Sequence, residues 1–118
     1  MSGSFVPRPN DRILILRRPW LQMILTGDKT LEVRGSPIKA GRYWLGHKGI
    51  IHGVAILGSP IPIVSQEQWV EMRPQHCVDG AELPYRKTYA LPILNARPTR
   101  PIPYVHPRGA IGLVKFRD

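Results

Sequence analysis

The sequence predicts a single, mainly β domain of the α+β class, in which a small closed or nearly closed barrel is flanked by helices. The chain has 118 residues, enough for one domain with a modest hydrophobic core. Its 13 prolines favour short strands and long connections, because proline has no N–H to give to a sheet and breaks helices. Strand-like segments outnumber helical ones, which favours a barrel over a helical bundle.

The strand-like segments are short apolar or alternating runs bounded by glycine, proline or charged residues. In one of them, Leu31 and Val33 are expected to face one way, and Glu32 and Arg34 the other. The predicted strands are residues 12–16, 30–34, 41–45, 50–57, 88–94 (interrupted by Pro92) and 110–116.

Two short helices are predicted. The first, residues 19–27, begins at a proline and ends at a glycine that serves as its C-cap. The second, residues 65–73, begins at Ser65 and has Gln68 three residues later, in a capping-box pattern. The remaining segments are predicted to be a flexible tail at 1–10, a loop at 73–84 and a proline-rich connection at 97–107, so that the domain spans 11–118.

The charge balance predicts a polyanionic partner. Seventeen Lys and Arg residues oppose eight Asp and Glu residues, giving a net charge of +9 and an isoelectric point near 10.5. Twelve of the seventeen are arginine, whose planar guanidinium pairs bidentately with phosphate and stacks on bases. Nucleic acid is therefore the leading candidate, and a charge that serves only solubility is the alternative.

The cysteine and hydropathy patterns favour a cytoplasmic protein. Cys77 is the only cysteine, so no internal disulfide can form. We recognise no signal peptide, and no apolar run approaches the ~18 residues of a membrane span. His47 and His52 lie five residues apart and His76 adjoins Cys77, but neither pair has the spacing of a metal-ligand set. We expect no membrane association, no metal or other cofactor, and a monomer.

Two segments resemble a known family. Residues 27–34, GDKTLEVR, follow the pattern G-x-K-x-x-E-x-R directly after a helix that begins with the RPWL of residues 18–21. Residues 101–110, PIPYVHPRGA, form a proline-rich approach to the last strand. On these segments the chain is similar to the ASCH family over about residues 12–117. The resemblance implies a PUA-like β-barrel with a cleft over the motif that handles nucleic acid or nucleotides.

The chain departs from the family pattern at two places. Many members carry a tryptophan in the penultimate strand, where this chain has Tyr89, Ala90 and Leu91. The branch that resembles acetylcytidine amidohydrolases keeps the motif lysine but has threonine at the position of Glu32. From that branch, only the lysine carries over to this chain, as Lys29.

The motif residues themselves predict a polar pocket. Lys29 lies in the turn after the helix, whereas Glu32 and Arg34 emerge from one face of the next strand, roughly 6–7 Å apart. Arg34 could hold a phosphate or carbonyl bidentately, and Glu32 could accept from a base amino group. A lysine deprotonated by burial and nearby cations could act as a base or nucleophile. The alternative is a structural ion pair of Glu32 with Arg34 or Lys29.

Aromatic side chains add candidates for stacking. Trp20 is either a stacking platform beside the pocket or a core residue that anchors the helix. Tyr43 and Trp44 are neighbours on a strand, so one is expected in the core and the other at the rim. Trp69 is expected in the core, and the turn at 46–49 either contacts phosphate or is plainly solvated. The candidate binding residues are Arg18, Trp20, Lys29, Glu32, Arg34, Tyr43, His47 and Lys48, and the candidate catalytic residues are Lys29 and Glu32.

Three functions remain open from the sequence. The first is binding of RNA, another nucleic acid or a nucleoside or nucleotide in the cleft, with surrounding arginines holding the backbone. The second is a small hydrolase that cleaves an amide on a modified nucleobase or acts on RNA as a ribonuclease; in the amide case Lys29 is the base or nucleophile and Glu32 the acid–base or orienting group. The third is a protein-interaction module that uses residues 97–107. The charge excess favours the first over the third.

Overall fold

A computed structural model describes residues 6–118 of the chain. The strands are β1 (Arg12–Ile15), β2 (Leu31–Arg34), β3 (Gly41–His47), β4 (Ile50–Leu57), β5 (Ile61–Ile63), β6 (Thr88–Pro103) and β7 (Leu113–Lys115). Within the described residues the sheet has the strand order β2-β6-β4-β3-β1-β7, and β5 pairs with β6 outside this path. The predicted mainly β class with short flanking helices is confirmed, and the sheet curls into a half-barrel.

Strand β6 joins the two parts of the sheet. Its first residues pair with β2 on one side and with β5 on the other, whereas the stretch from Ile93 to Pro103 pairs with β4. The predicted end of this strand at residue 94 and the predicted connection from residue 97 are therefore wrong. The strand continues through its prolines because its pairing with β4 shifts register twice, and bulges tolerate proline.

Two other strand predictions need correction. The short strand β5 was not predicted, because its Ile61-Pro62-Ile63 sequence lacks a clear alternation. The last strand spans only Leu113–Lys115, rather than the predicted 110–116, and Gly112 before it has φ 87°.

Both predicted helices form. Helix α1 (Trp20–Thr26) ends at Gly27, which adopts the left-handed conformation with φ 87°. Helix α2 (Gln66–Glu71) is capped by Ser65, whose side chain accepts a hydrogen bond from the Gln68 N–H, as the capping-box pattern predicts. The predicted loop at 73–84 instead begins with a helical turn, α3 (Arg73–His76), which has a proline in its first turn.

Both faces of the sheet are covered. Tyr43 packs with Leu14 and Leu45 in one core cluster, and Trp44 packs with Ile13 in another. Tyr43 is 1% exposed and Trp44 2%, so the prediction that one of them lies at the rim is wrong. Strand β3 lies between β4 and β1, and its residues from Tyr43 to Gly46 are buried.

Helix α1 lies close against the sheet at a glycine. A Cβ on Gly53 would lie 2.5 Å from the Leu25 side chain and 2.7 Å from the Arg97 carbonyl oxygen. Only glycine lets α1 approach β4 and β6 so closely. Trp69, a residue of α2, is fully buried in a third cluster with Leu31 and Val33, as predicted.

The predicted flexible tail at 1–10 lies partly outside the described residues. From Arg8 onward the backbone is tied to the domain, because the Arg8 N–H donates to the Asp11 carboxylate and the Asn10 N–H donates to the Phe116 carbonyl. Within residues 6–118, none of the helices has the length and apolar character needed to cross a membrane.

Candidate functional site

A cleft of about 760 Å³ opens over the predicted motif. Its walls come from the end of β1, the start of α1, strand β2 with the loop that follows it, the loop before β6 and the segment before β7. The lining residues with polar or aromatic side chains are Arg17, Trp20, Lys29, Glu32, Arg34, Ser36 and Tyr85, and the apolar ones include Val33, Ile38 and Ile111.

Lys29 is buried at the floor of the cleft, with 1% of the residue exposed. The left-handed Gly27 turns the chain out of α1, and the Lys29 N–H donates to the Met23 carbonyl. The Lys29 Nζ donates to the His76 carbonyl oxygen and lies 4.7 Å from the centre of the Trp20 ring. Burial lowers the pKa of Lys29 below its ordinary value, and the neighbouring Glu32 opposes that shift.

Glu32 lies between two cations. Its Oε1 is 3.8 Å from the Lys29 Nζ, and its Oε2 accepts from the Arg34 Nε at 2.8 Å. The Arg34 Nη2 also donates to the Ile15 carbonyl oxygen at 2.6 Å, which fixes the guanidinium against β1. Both ion pairs considered from the sequence therefore form. Glu32 and Arg34 contact each other, as expected for residues on one face of the strand, and Glu32 is as buried as its neighbours Leu31 and Val33.

The carbonyl that holds Lys29 is itself fixed by a buried ring. The His76 ring stacks on Trp69, with centroids 3.8 Å apart and an interplanar angle of 15°. The Val78 N–H donates to His76 Nδ1 at 2.9 Å, so the ring proton is on Nε2, which donates to the Trp69 carbonyl at 2.8 Å. Sequence reasoning missed this support, since His76 is 47 residues from Lys29 along the chain.

Solved structures with the same architecture are known. No protein-family model matches the sequence, and no curated protein matches it either. Three crystal structures of the ASCH protein of Zymomonas mobilis match the fold at a TM-score of 0.72 and 19% identity. The chain has the ASCH fold.

The match extends over nearly the whole of each chain. A serine-to-alanine mutant of the Zymomonas protein covers 95% of this chain and 92% of its own, and a tyrosine-to-phenylalanine mutant covers 92% and 91%. The unsubstituted protein covers 92% of this chain and 88% of its own. The resemblance to ASCH domains inferred from residues 27–34 is thus confirmed at the level of the fold.

The ASCH fold brings half of the predicted binding residues together. Trp20, Lys29, Glu32 and Arg34 line the cleft, and Tyr85, which sequence reasoning did not single out, lies among them. The remaining predicted binding residues, Arg18, Tyr43, His47 and Lys48, are not among its lining residues.

Tyr43 is the member of that second set that is enclosed in the protein. It lies in the core, where its hydroxyl donates to the Lys39 carbonyl at 2.6 Å and its ring lies under the Arg12 guanidinium.

Within residues 6–118, no group of three or more His, Cys, Asp or Glu side chains is placed to hold a metal ion.

We expect the stability of this domain to fall as the pH drops below about 6.5. Burial lowers the pKa of His76, so the unfolded chain binds the proton first. The contribution of neutral His76 to the free energy of unfolding is complete above the ordinary pKa of histidine. It is lost progressively as the pH falls below that value. Urea unfolding between about pH 7.5 and about pH 5 measures the effect. His76→Gln should flatten this pH dependence more than His52→Gln, and equal flattening by both would contradict the assignment to His76.

Proposed function

We propose that this chain is an ASCH-type domain that binds RNA, or a nucleotide unit of it, in the cleft over Lys29, Glu32 and Arg34. The observation that carries the proposal is the row of buried Lys29, buried Glu32 and partly exposed Arg34 at the floor of the cleft, beside the Trp20 ring. Two buried charged groups and a partly exposed arginine at the floor of a concave, largely apolar site are typical of a binding site for a polar ligand.

The cleft has the size and the chemistry of a nucleotide site. Its volume of about 760 Å³ lies within the ~300–1,000 Å³ of small-molecule pockets. Glu32 can accept from the amino group of a base, whereas Lys29 and Arg34 can donate to a carbonyl or phosphate oxygen. Arg17 in the lining adds a further cation where the phosphate of a bound nucleotide could lie.

Trp20 is the side chain that should hold the base. Its ring lines the cleft and already carries the Lys29 ammonium near its face. Loss of one stacked base costs about 1–3 kcal/mol. We therefore expect Trp20→Leu to weaken binding of a mononucleotide by about tenfold or more, measured by calorimetric titration.

Trp20→Phe is the matched control for this prediction. It keeps an aromatic face and should retain most of the affinity, whereas leucine fills similar space without a π system. Equal affinities for the leucine and phenylalanine variants would show that Trp20 is only a packing residue of helix α1.

Binding of an RNA strand should depend strongly on salt. If the domain contacts about four to six phosphates, the log–log plot of affinity against salt has a slope near −3 to −4 for a single strand. Fluorescence anisotropy with a labelled single-stranded RNA between about 50 and about 200 mM salt measures this slope. An affinity that ignores salt would contradict binding through the backbone and point to a ligand held by stacking alone.

A second candidate function is hydrolysis, which the burial of Lys29 favours. Because burial lowers the pKa of Lys29, more of its amine is neutral near pH 7 than for an exposed lysine. A neutral amine next to a carboxylate can take a proton from water or attack a carbonyl carbon, while Arg34 holds the carbonyl oxygen. The substrate would be an amide on a modified nucleobase, or the phosphodiester of RNA.

One experiment tests both functions. The pure protein is titrated with single-stranded RNA, cytidine and acetylated cytidine, and each mixture is also followed over hours for product. Binding without turnover supports the first function, and turnover of acetylated cytidine or RNA supports the second. Neither binding nor turnover with any of these compounds would contradict both.

A further inference from the structure

A second basic surface lies outside the cleft. We call it the histidine rim, and it consists of Arg18, His47, Lys48, His52 and Arg100. None of these residues is among those that line the cleft. Arg18, Lys48 and Arg100 are exposed, and the two histidines are half-buried.

Backbone pairing brings these residues together. The His47 Nδ1 lies 2.9 Å from the Leu16 carbonyl oxygen, which places the end of β3 beside the segment that continues to Arg18. In the pairing of β4 with β6, Ile51 faces Ile102 and Gly53 faces Pro98, so His52 lies opposite the bulge at residues 99–101. That bulge contains Arg100, and bulges redirect side chains at sheet edges.

The charges of the rim influence one another. Burial lowers the pKa of His52, and the positive charges of Arg18 and His47 lower it further. Lys48 lies in the adjoining β3–β4 turn, and Arg97 and Arg100 are on the paired segment of β6. The charged side chains on these neighbouring segments are therefore all basic.

The elements that form the rim contain no carboxylate. The eight Asp and Glu residues leave two long stretches, 33–66 and 83–117, without a single acidic residue. These stretches contain the whole of β3, β4 and β6, and the segment from Leu16 to Gly27 is also free of acid. A surface in which cations lie together without carboxylates on the same elements is suited to a polyanion.

We propose that the histidine rim binds the phosphodiester backbone of an RNA strand that continues from the nucleotide held in the cleft. Two adjacent residues connect the sites, because Arg17 lines the cleft and Arg18 belongs to the rim. The inference rests on the proposed function and adds to it: the cleft takes one nucleotide, and the rim takes the phosphates that follow it. Oligonucleotides are therefore bound more tightly than mononucleotides.

The rim also couples binding to protons. A phosphate placed beside Arg18 and His52 offsets the repulsion that disfavours the charged His52 imidazole, so the complex takes up a proton on His52. RNA affinity therefore rises as the pH falls from about 7.5 to about 6. A mononucleotide confined to the cleft does not reach the rim, so its affinity should not show this rise at low pH.

A charge-matched pair of variants tests the rim. Arg18→Gln/Arg100→Gln removes two exposed cations from it. Arg8→Gln/Lys115→Gln removes two exposed cations near the start of β1, which runs parallel to β3, whereas the rim lies at the end of β3. Anisotropy is measured with a labelled single-stranded RNA of about 12 nucleotides. The rim variant should bind about tenfold more weakly and show a salt slope less steep by about 1.4, whereas the control should change less than about twofold.

The remaining measurements separate this inference from the proposed function. Both double variants should bind a mononucleotide as the unsubstituted protein does, and His52→Gln should reduce the rise in RNA affinity at low pH. Equal losses of RNA affinity in the two double variants, or equal affinities for mononucleotide and RNA, would contradict RNA binding at the rim. The proposed function of the cleft would not be affected by either result. If neither RNA nor mononucleotide binds the unsubstituted protein, both the proposed function and RNA binding at the rim are contradicted.

Discussion

Glu32→Gln is expected to lower the free energy of unfolding by about 3 kcal/mol at neutral pH. The substitution preserves shape but removes the carboxylate between Lys29 and Arg34, so that two cations face each other without compensation. Lys29 is almost fully buried, whereas the Arg34 side chain is 16% exposed, which places the effect at the lower end of the range for broken buried pairs. Urea unfolding followed by tryptophan fluorescence measures the loss.

Asp28→Asn is the matched control for this substitution. Asp28 is an exposed carboxylate four residues earlier whose oxygen accepts from the Thr26 hydroxyl, and its loss should cost no more than about 0.5 kcal/mol. Adding Lys29→Met to Glu32→Gln should recover part of the stability, because the uncompensated ammonium is removed as well. If Glu32→Gln and Asp28→Asn cost the same, the charged row at the floor of the cleft does not stabilise the fold.

The sequence predicted those features of the site that depend on neighbours along the chain. Gly27 ends the helix in the left-handed conformation, and the residues from Lys29 to Arg34 follow within one turn and one strand. Such short spacings fix relative positions without knowledge of the tertiary fold. The grouping of Lys29, Glu32 and Arg34 could therefore be predicted from eight residues.

Features that depend on contacts between distant segments were not predictable. Nothing near Lys29 indicates that its ammonium will bond to the carbonyl of His76, because that contact depends on how α3 packs against β2. Likewise, alternation along β3 gives the two directions of Tyr43 and Trp44 but not the number of layers that cover them. Both are buried because the sheet is covered on each side.

The separation of the predicted binding residues into two surfaces also depends on contacts between distant segments. Arg17 and Arg18 are adjacent, yet Arg17 lines the cleft while Arg18 lies near His52 on strand β4. Arg18 precedes α1, and α1 packs on β4 at Gly53, the residue after His52. Sequence patterns identify cations, but only the fold assigns each of them to a surface.

Lys29→Arg should separate the two candidate functions by the size of its effect. If the cleft only binds, the variant keeps the positive charge and should lower affinity by on the order of 1 kcal/mol. If Lys29 is a base or nucleophile, turnover should fall by about a thousandfold or more while substrate binding survives, because a guanidinium does not release its proton in a protein. Binding by calorimetry and turnover by product detection are measured on the same preparation of each variant.

Two further variants show whether the effect belongs to the cleft. Arg34→Lys keeps the charge but loses the planar fork that contacts both Glu32 and the Ile15 carbonyl, so it should weaken ligand binding without removing a proton-transfer group. Glu32→Gln should reduce stability in either case, so its binding and turnover are compared at a temperature where the variant remains folded. If Lys29→Arg, Arg34→Lys and Glu32→Gln all leave binding and turnover unchanged, the charged row is a structural element, and the ligand site lies elsewhere on the domain.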